Sequence, residues 1–293
     1  MLKPALAAVQ TVIFLLIVNV SLASATPLKV VATLPILKEF AEQVGREHVE
    51  VTSLITGFES EHSYSPKPSD LRAINEARLL LEIGLGLEVW VKGLVKNAGS
   101  RGLNVVTTSR GISIIRDAWD PDSHGNPHIW LDPDNAMIMT RHIAQALIEA
   151  DPVNAPGYRT NLDEYLKRLS ETAQQLQGRV AVLRDRRIVA YHPAWPYFAR
   201  RFGFRIEGDI IRQVGSEPTA AHLARLARRM KTEKIKVIVS EPQLNQKLAQ
   251  TLAMETGARI VVLSTLPGAI KGTETYLSML EYDVARLVEA LES

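Results

Sequence analysis

Residues 158–180 carry the most regular hydrophobic spacing in the chain. Tyr158, Leu162, Tyr165, Leu169, Ala173, Leu176 and Val180 recur at steps of four and three, which lays one apolar stripe along an α-helix. At 1.5 Å per residue such a helix runs roughly 35–40 Å. It stands at mid-chain and is poorer in Gly and Ser than a flexible hinge would be, so it reads as a rigid connector. The two flanking blocks must therefore each fold around sheets of their own.

Both blocks alternate strand and helix. The first offers apolar, β-branched runs at 28–33, 49–55, 77–83 and 103–107. Helical spacing follows at 36–44, at 71–76 behind a Ser69-Asp70 cap, at 89–98, and at 134–150 after Asp132-Pro133. The second block offers strands at 187–191, 204–211, 235–240 and 259–263, with helices at 216–230, 244–256 and 276–291. Such alternation predicts an α/β fold with parallel sheets flanked by helices. The expected organisation is a signal peptide at 1–25, an N-terminal lobe at 26–152, a connecting helix at 153–180 and a C-terminal lobe at 181–293. Two lobes suit a chain of 293 residues.

The N-terminus carries an address. Lys3 precedes an apolar stretch from Ala5 to Val20, and Ala23-Ser24-Ala25 has the small-x-small pattern of a signal-peptidase site. Thr26 is then the mature N-terminus, and the expected location is the periplasm. The chain has no cysteine, which excludes both a disulfide framework and a cysteine-linked lipid anchor. Losing Lys3 lowers the formal net charge of +2 by one, too weak a balance to argue for nucleic acid as a partner.

Three histidines stand in stiffened, polar settings. His62 lies in Glu61-His62-Ser63-Tyr64-Ser65-Pro66-Lys67-Pro68, His128 in Asn126-Pro127-His128-Ile129-Trp130-Leu131-Asp132-Pro133, and His192 in Tyr191-His192-Pro193-Ala194-Trp195. His62, His192, Glu241 and Ser264 each follow a predicted strand, on the edge where open α/β sheets bind ligands. His128 needs the preceding loop to bring it there. Two such edges facing each other make a cleft. Three neutral imidazoles and a carboxylate form a borderline-soft N3O set that suits Zn²⁺, whereas Ca²⁺ and Mg²⁺ want oxygen-rich shells. His48, His142 and His222 read as ordinary polar residues, the last two in helices without a partner. His124, near Asp120 and Asp122, reads as part of a solvated loop.

These segments resemble motifs of the metal-binding solute-binding proteins of ABC transporters, the zinc and manganese receptor family. Gly84-x-Gly86-Leu87-Glu88-x-Trp90, Ser240-Glu241-Pro242-Gln243 and Gly272-x-x-x-Tyr276 match as well, in order, from Val30 almost to the C-terminus. The resemblance implies two α/β lobes joined by a long rigid helix, with metal in the cleft and a membrane permease as partner. It also implies a binding protein, not an enzyme, with the metal as cargo and no organic cofactor. His62, His128 and His192 fall on the family's imidazole positions. Manganese-type members are expected to carry a carboxylate at the position of His192, which aligns this chain with the zinc branch.

Ser264 departs from the family, which often has Asp there. The fourth ligand is therefore open among Glu61, which is preferred, water, and Glu241. The acidic, His-rich loop of many zinc receptors is reduced to Asp120, Asp122 and His124. The chain is expected to be a monomer whose metal affinity falls as pH drops below about 6–6.5. Manganese or iron in place of zinc is the alternative cargo. A zinc hydrolase lacks support, because no H-E-x-x-H helix or Gly-x-Ser-x-Gly elbow occurs. Gly84-x-Gly86 lacks the third glycine of a dinucleotide fingerprint, since Val89 stands there.

Overall fold

The computed structural model describes residues 26–100, 102–116, 124–212 and 215–292. The expected signal peptide, and Asp120 and Asp122, lie outside them. Each block forms a four-stranded parallel sheet. The first is ordered β2-β1-β3-β4, from β1 (Leu28–Ala32), β2 (Val49–Ser53), β3 (Leu79–Glu82) and β4 (Asn104–Thr107). The second repeats that order as β6-β5-β7-β8, from β5 (Arg187–Ala190), β6 (Arg205–Asp209), β7 (Val237–Ser240) and β8 (Arg259–Val262). The central strands β1, β3, β5 and β7 are buried almost throughout. That explains why they read as continuous apolar runs instead of alternating ones.

Helices α1 (Pro35–Gly45), α2 (Pro68–Glu76), α3 (Val91–Ala98) and α4 (Pro133–Ala150) belong to the first block. The amphipathic helix is α5 (Ala155–Ala181), 27 residues long, about 40 Å at 1.5 Å per residue. Tyr158, Tyr165, Leu169, Ala173, Leu176 and Val180 are all buried on it. It packs against α1 and α4 of the first block and against α6 (Pro196–Phe202) and α9 (Tyr276–Glu292) of the second. A single apolar cluster runs through both blocks along this seam, with the Phe40 and Tyr276 rings edge to face at 5.2 Å.

Three helices begin elsewhere than the sequence suggests. α2 starts at Pro68, so Ser69-Asp70 is not its cap. Asp70 lies in the first turn and its Oδ2 accepts the Lys67 N–H at 2.6 Å, satisfying a free donor from within the helix. α7 (Ala220–Glu233) starts after Pro218, where the Thr219 side chain accepts the His222 N–H and sets the boundary. α8 (Lys247–Thr256) starts after a turn in which Asn245 Oδ1 accepts the Lys247 N–H at 3.0 Å. Among the described residues no helix is long and apolar enough to cross a membrane.

Candidate metal centre

His62 reaches the cleft on the loop that leaves β2. Glu59 Oε2 accepts from Thr56 N at 2.9 Å and Thr56 Oγ1 at 2.5 Å, and Tyr64 Oη donates to Asp70 Oδ2 at 2.9 Å, so both ends of the loop are pinned. Gly57, at φ +99°, turns the chain against the second block. A Cβ there would stand 2.8 Å from the Pro267 carbonyl oxygen, and the Gly57 carbonyl accepts from Gln243 Nε2 at 2.8 Å. Only glycine fits that turn and that approach.

His128 precedes a single 3₁₀ turn, Ile129–Leu131, that leads into α4. Asn126 holds it: Oδ1 accepts the His128 backbone N–H at 3.0 Å and lies 3.0 Å from Nδ1 of the ring. The same amide donates through Nδ2 to the Pro193 carbonyl at 2.5 Å, next to His192. Trp130 packs its ring 5.4 Å from the His128 ring and donates through Nε1 to Thr265 O at 2.7 Å. His192 follows β5 directly, and its Nδ1 stands 3.1 Å from Glu241 Oε1, at the end of β7.

These placements bring the three rings together. One ring nitrogen from each of His62, His128 and His192 falls within 4.8 Å of the other two. The Nε2 atoms of His62 and His128 are 3.2 Å apart. The group opens on a cavity of about 500 Å³, lined also by Leu87, His124, Asn126 and Arg212. Burial, with His192 close by, pushes the His62 ring down to about 4. Burial and the neighbouring rings hold His128 well below the usual imidazole value. Burial also works to lower His192, but Glu241, with Glu61 and Asp209, outweighs it and lifts this ring above the ordinary value. Two rings are thus kept neutral, as metal ligands must be.

The carboxylates are placed unequally. Glu61 is buried, with Oε1 3.8 Å from His128 Nε2, but it does not join the three rings within their common radius. Burial raises its carboxyl above the usual range. Ser264 is buried and points away: its hydroxyl donates to Leu266 O at 2.6 Å, and its N–H goes to Asp283 Oδ1 at 2.9 Å. His142 and His222, expected to lack partners, have them. His142 Nδ1 lies 3.0 Å from Thr108 O, and His222 Nε2 2.8 Å from Asp209 O. Sequence reasoning quoted Asn126 and Trp195 in motifs without giving them a role. The signal was their distance from the clustered histidines, two residues before His128 and three after His192.

The sequence pattern of a known family, described as ZnuA, zinc-uptake complex component A, periplasmic, matches residues 30–290. The chain belongs to the ZnuA family. Membership makes it a metal-binding, substrate-binding protein of the ABC-transporter class and not a member of an enzyme family. It is 28% identical over 279 residues to the high-affinity zinc uptake system protein ZnuA of Bacillus subtilis strain 168, covering 90% of this chain and 88% of that one. It is 29% identical over 269 residues to the manganese-binding lipoprotein MntA of Halalkalibacterium halodurans, covering 90% and 88%. Among solved structures, the manganese-bound periplasmic metal binding protein of Candidatus Liberibacter asiaticus superposes with a TM-score of 0.81 at 28% identity, over 91% of this chain and all of that one. ZnuA-family relatives with this fold are therefore named for different metals.

Proposed function

We propose that this chain captures Zn²⁺ in the periplasm and delivers it to an ABC permease, with His62, His128 and His192 as imidazole ligands and Glu61 as the fourth. The observation that carries the reading is the 3.2 Å separation of the His62 and His128 Nε2 atoms. Two nitrogens each about 2.0–2.1 Å from a tetrahedral zinc stand roughly 3.3 Å apart, so the site is already spaced for one ion. Spacing alone admits other divalent ions; the nitrogen-rich donors favour zinc over manganese. Glu61 would have to turn toward the rings to complete the shell. Its burial beside them supports this, because a carboxylate that is costly to ionise in the empty site gains most from a cation.

Export rests on the Ala23-Ser24-Ala25 pattern, and the expected cleavage precedes Thr26. The test is calorimetric titration of the chelator-stripped mature chain with Zn²⁺ and then Mn²⁺, with bound metal counted by elemental analysis. One zinc per chain, held far more tightly than manganese and lost in His128→Ala, is the expected result. Preference for manganese would reassign the cargo to the second metal named among the relatives. No stoichiometric metal would end the reading.

A further inference from the structure

We propose that Glu241 is a positioning residue of this centre, which holds His192 so that Nε2 is the ring nitrogen turned toward His62 and His128. The inference rests on reading the three imidazoles as ligands, and it adds a residue that binds no metal itself.

Glu241 is 1% exposed, at the carboxyl end of β7. Its Oε1 accepts the Trp195 indole N–H at 2.5 Å and stands 3.1 Å from His192 Nδ1. Trp195 is fully buried and belongs to the same turn as His192, where Ala194 N donates to His192 O at 2.9 Å. An indole nitrogen only donates, and this one cannot turn away. Oε1 is thereby fixed as an acceptor whether or not metal is present. The Glu241 backbone is held too, because its carbonyl accepts from Gln246 Nε2 at 2.8 Å.

A fixed acceptor beside Nδ1 decides the tautomer. The ring proton belongs on Nδ1, and Nε2 keeps its lone pair. Both nitrogens of the His192 ring are buried and neither makes a hydrogen bond of full geometry; Nδ1 has the Glu241 carboxylate 3.1 Å away as a ready acceptor, which leaves Nε2 as the nitrogen free for a ligand. His128 is arranged alike, with Asn126 Oδ1 3.0 Å from its Nδ1 and its Nε2 facing His62. The two supports differ in charge. A neutral amide backs His128, whereas a carboxylate backs His192 and makes that ring the more basic donor. Glu241 does not compete for the ion. Oε1 is held by the Trp195 indole and faces His192 Nδ1, and although Oε2 is buried without a hydrogen bond, Glu241 does not join the group in which the three ring nitrogens lie together.

The test uses the full mature chain with ¹⁵N-labelled histidine. Two-bond ¹H–¹⁵N spectra of the metal-free protein, at a pH where His192 is neutral, report its tautomer; competition with a chromophoric chelator reports zinc affinity. The wild type is expected to show His192 as the Nδ1–H form. Glu241→Ala should lose that form and weaken zinc about 10–100-fold with stoichiometry still one, and Glu241→Asp should recover part of the loss. In the His192→Ala background, Glu241→Ala should weaken zinc no further, because a residue acting through another has nothing left to act on. Should Glu241→Ala fail to fold, Glu241→Gln keeps the acceptor for Trp195 and carries the same cycle with a smaller loss. An unchanged tautomer and affinity in Glu241→Ala, or losses that multiply in the double variant, would overturn the proposal. A wild type that takes no zinc would instead fail the receptor reading, while the tautomer spectra still decide the role of Glu241.

Discussion

Burial and the neighbouring His192 push the His62 ring down to about 4, and burial with the neighbouring rings holds His128 well below the usual imidazole value, while Glu241 and Glu61 outweigh burial and raise His192. Among the three rings, protons therefore compete with metal chiefly at His192, and outside them at the buried Glu61 carboxyl, which is raised as well. Between pH about 7.5 and 5.5, the three rings should contribute a slope in the logarithm of zinc affinity of at most about one per pH unit, where three ordinary imidazoles would approach three below their common value. Isothermal titration across that range in buffers of different ionisation enthalpy counts the protons directly. Among the rings, the onset is expected to follow His192, which is raised above the ordinary imidazole value, with a slope shallower than three ordinary imidazoles would give. The metal-free fold responds with its own sign. The unfolded chain protonates His62 near the ordinary value, about 6.5, but the folded chain does so only at about 4. His62 therefore withdraws stability as pH falls through that window. The denaturant midpoint of wild type should fall relative to that of His62→Gln as the pH is lowered from about 7 toward 4.

At the scale of elements, Glu39 on α1 does for α9 what a local capping residue usually does. Its Oε2 accepts the Tyr276 N–H at 2.6 Å, and its Oε1 the Tyr165 hydroxyl at 3.4 Å. Burial raises this carboxyl to about 7. Glu39→Ala should destabilise the protein by about 0.5–2 kcal/mol, the usual range for a lost cap, read as a lower urea midpoint. Glu39→Gln keeps an acceptor and should lose less.

This cap links residues 237 apart in the chain, so no local pattern could announce it. The strands were legible because burial on both faces makes them continuous apolar runs, and α5 because its stripe persists for six turns. The starts of α2, α7 and α8 were misread because Lys67, Thr219 and Asn245 decide them through single hydrogen bonds that hydrophobic spacing does not encode. The three clustered histidines were legible as histidines in stiff segments, two of them after strands and His128 ahead of a helix. Which oxygen stands behind each ring was not, because Glu241 meets His192 only once β5 and β7 pair.

Across the whole molecule the two blocks are tied at several points besides α5. Tyr276 Oη donates to Trp130 O at 2.6 Å, Trp130 Nε1 to Thr265 O at 2.7 Å, and Gln243 Nε2 to Gly57 O at 2.8 Å. A helix packed on both blocks and a belt of buried contacts oppose wide hinge opening. Small-angle scattering should give the same radius of gyration with and without zinc; a clear contraction on loading would show that the belt opens. The His62 and His128 rings stand 66 residues apart in the chain, and His192 lies beyond the long helix. An ion held by all three would join distant loci of a cysteine-free chain only while it is folded, unlike a covalent bridge. Its reinforcement then follows mass action, gaining about 1.4 kcal/mol for each tenfold rise in free ion above the dissociation constant. The lifetime of the receptor against extracytoplasmic proteases would lengthen when metal is plentiful and shorten when it is scarce, so the supply of cargo would set the turnover of its carrier.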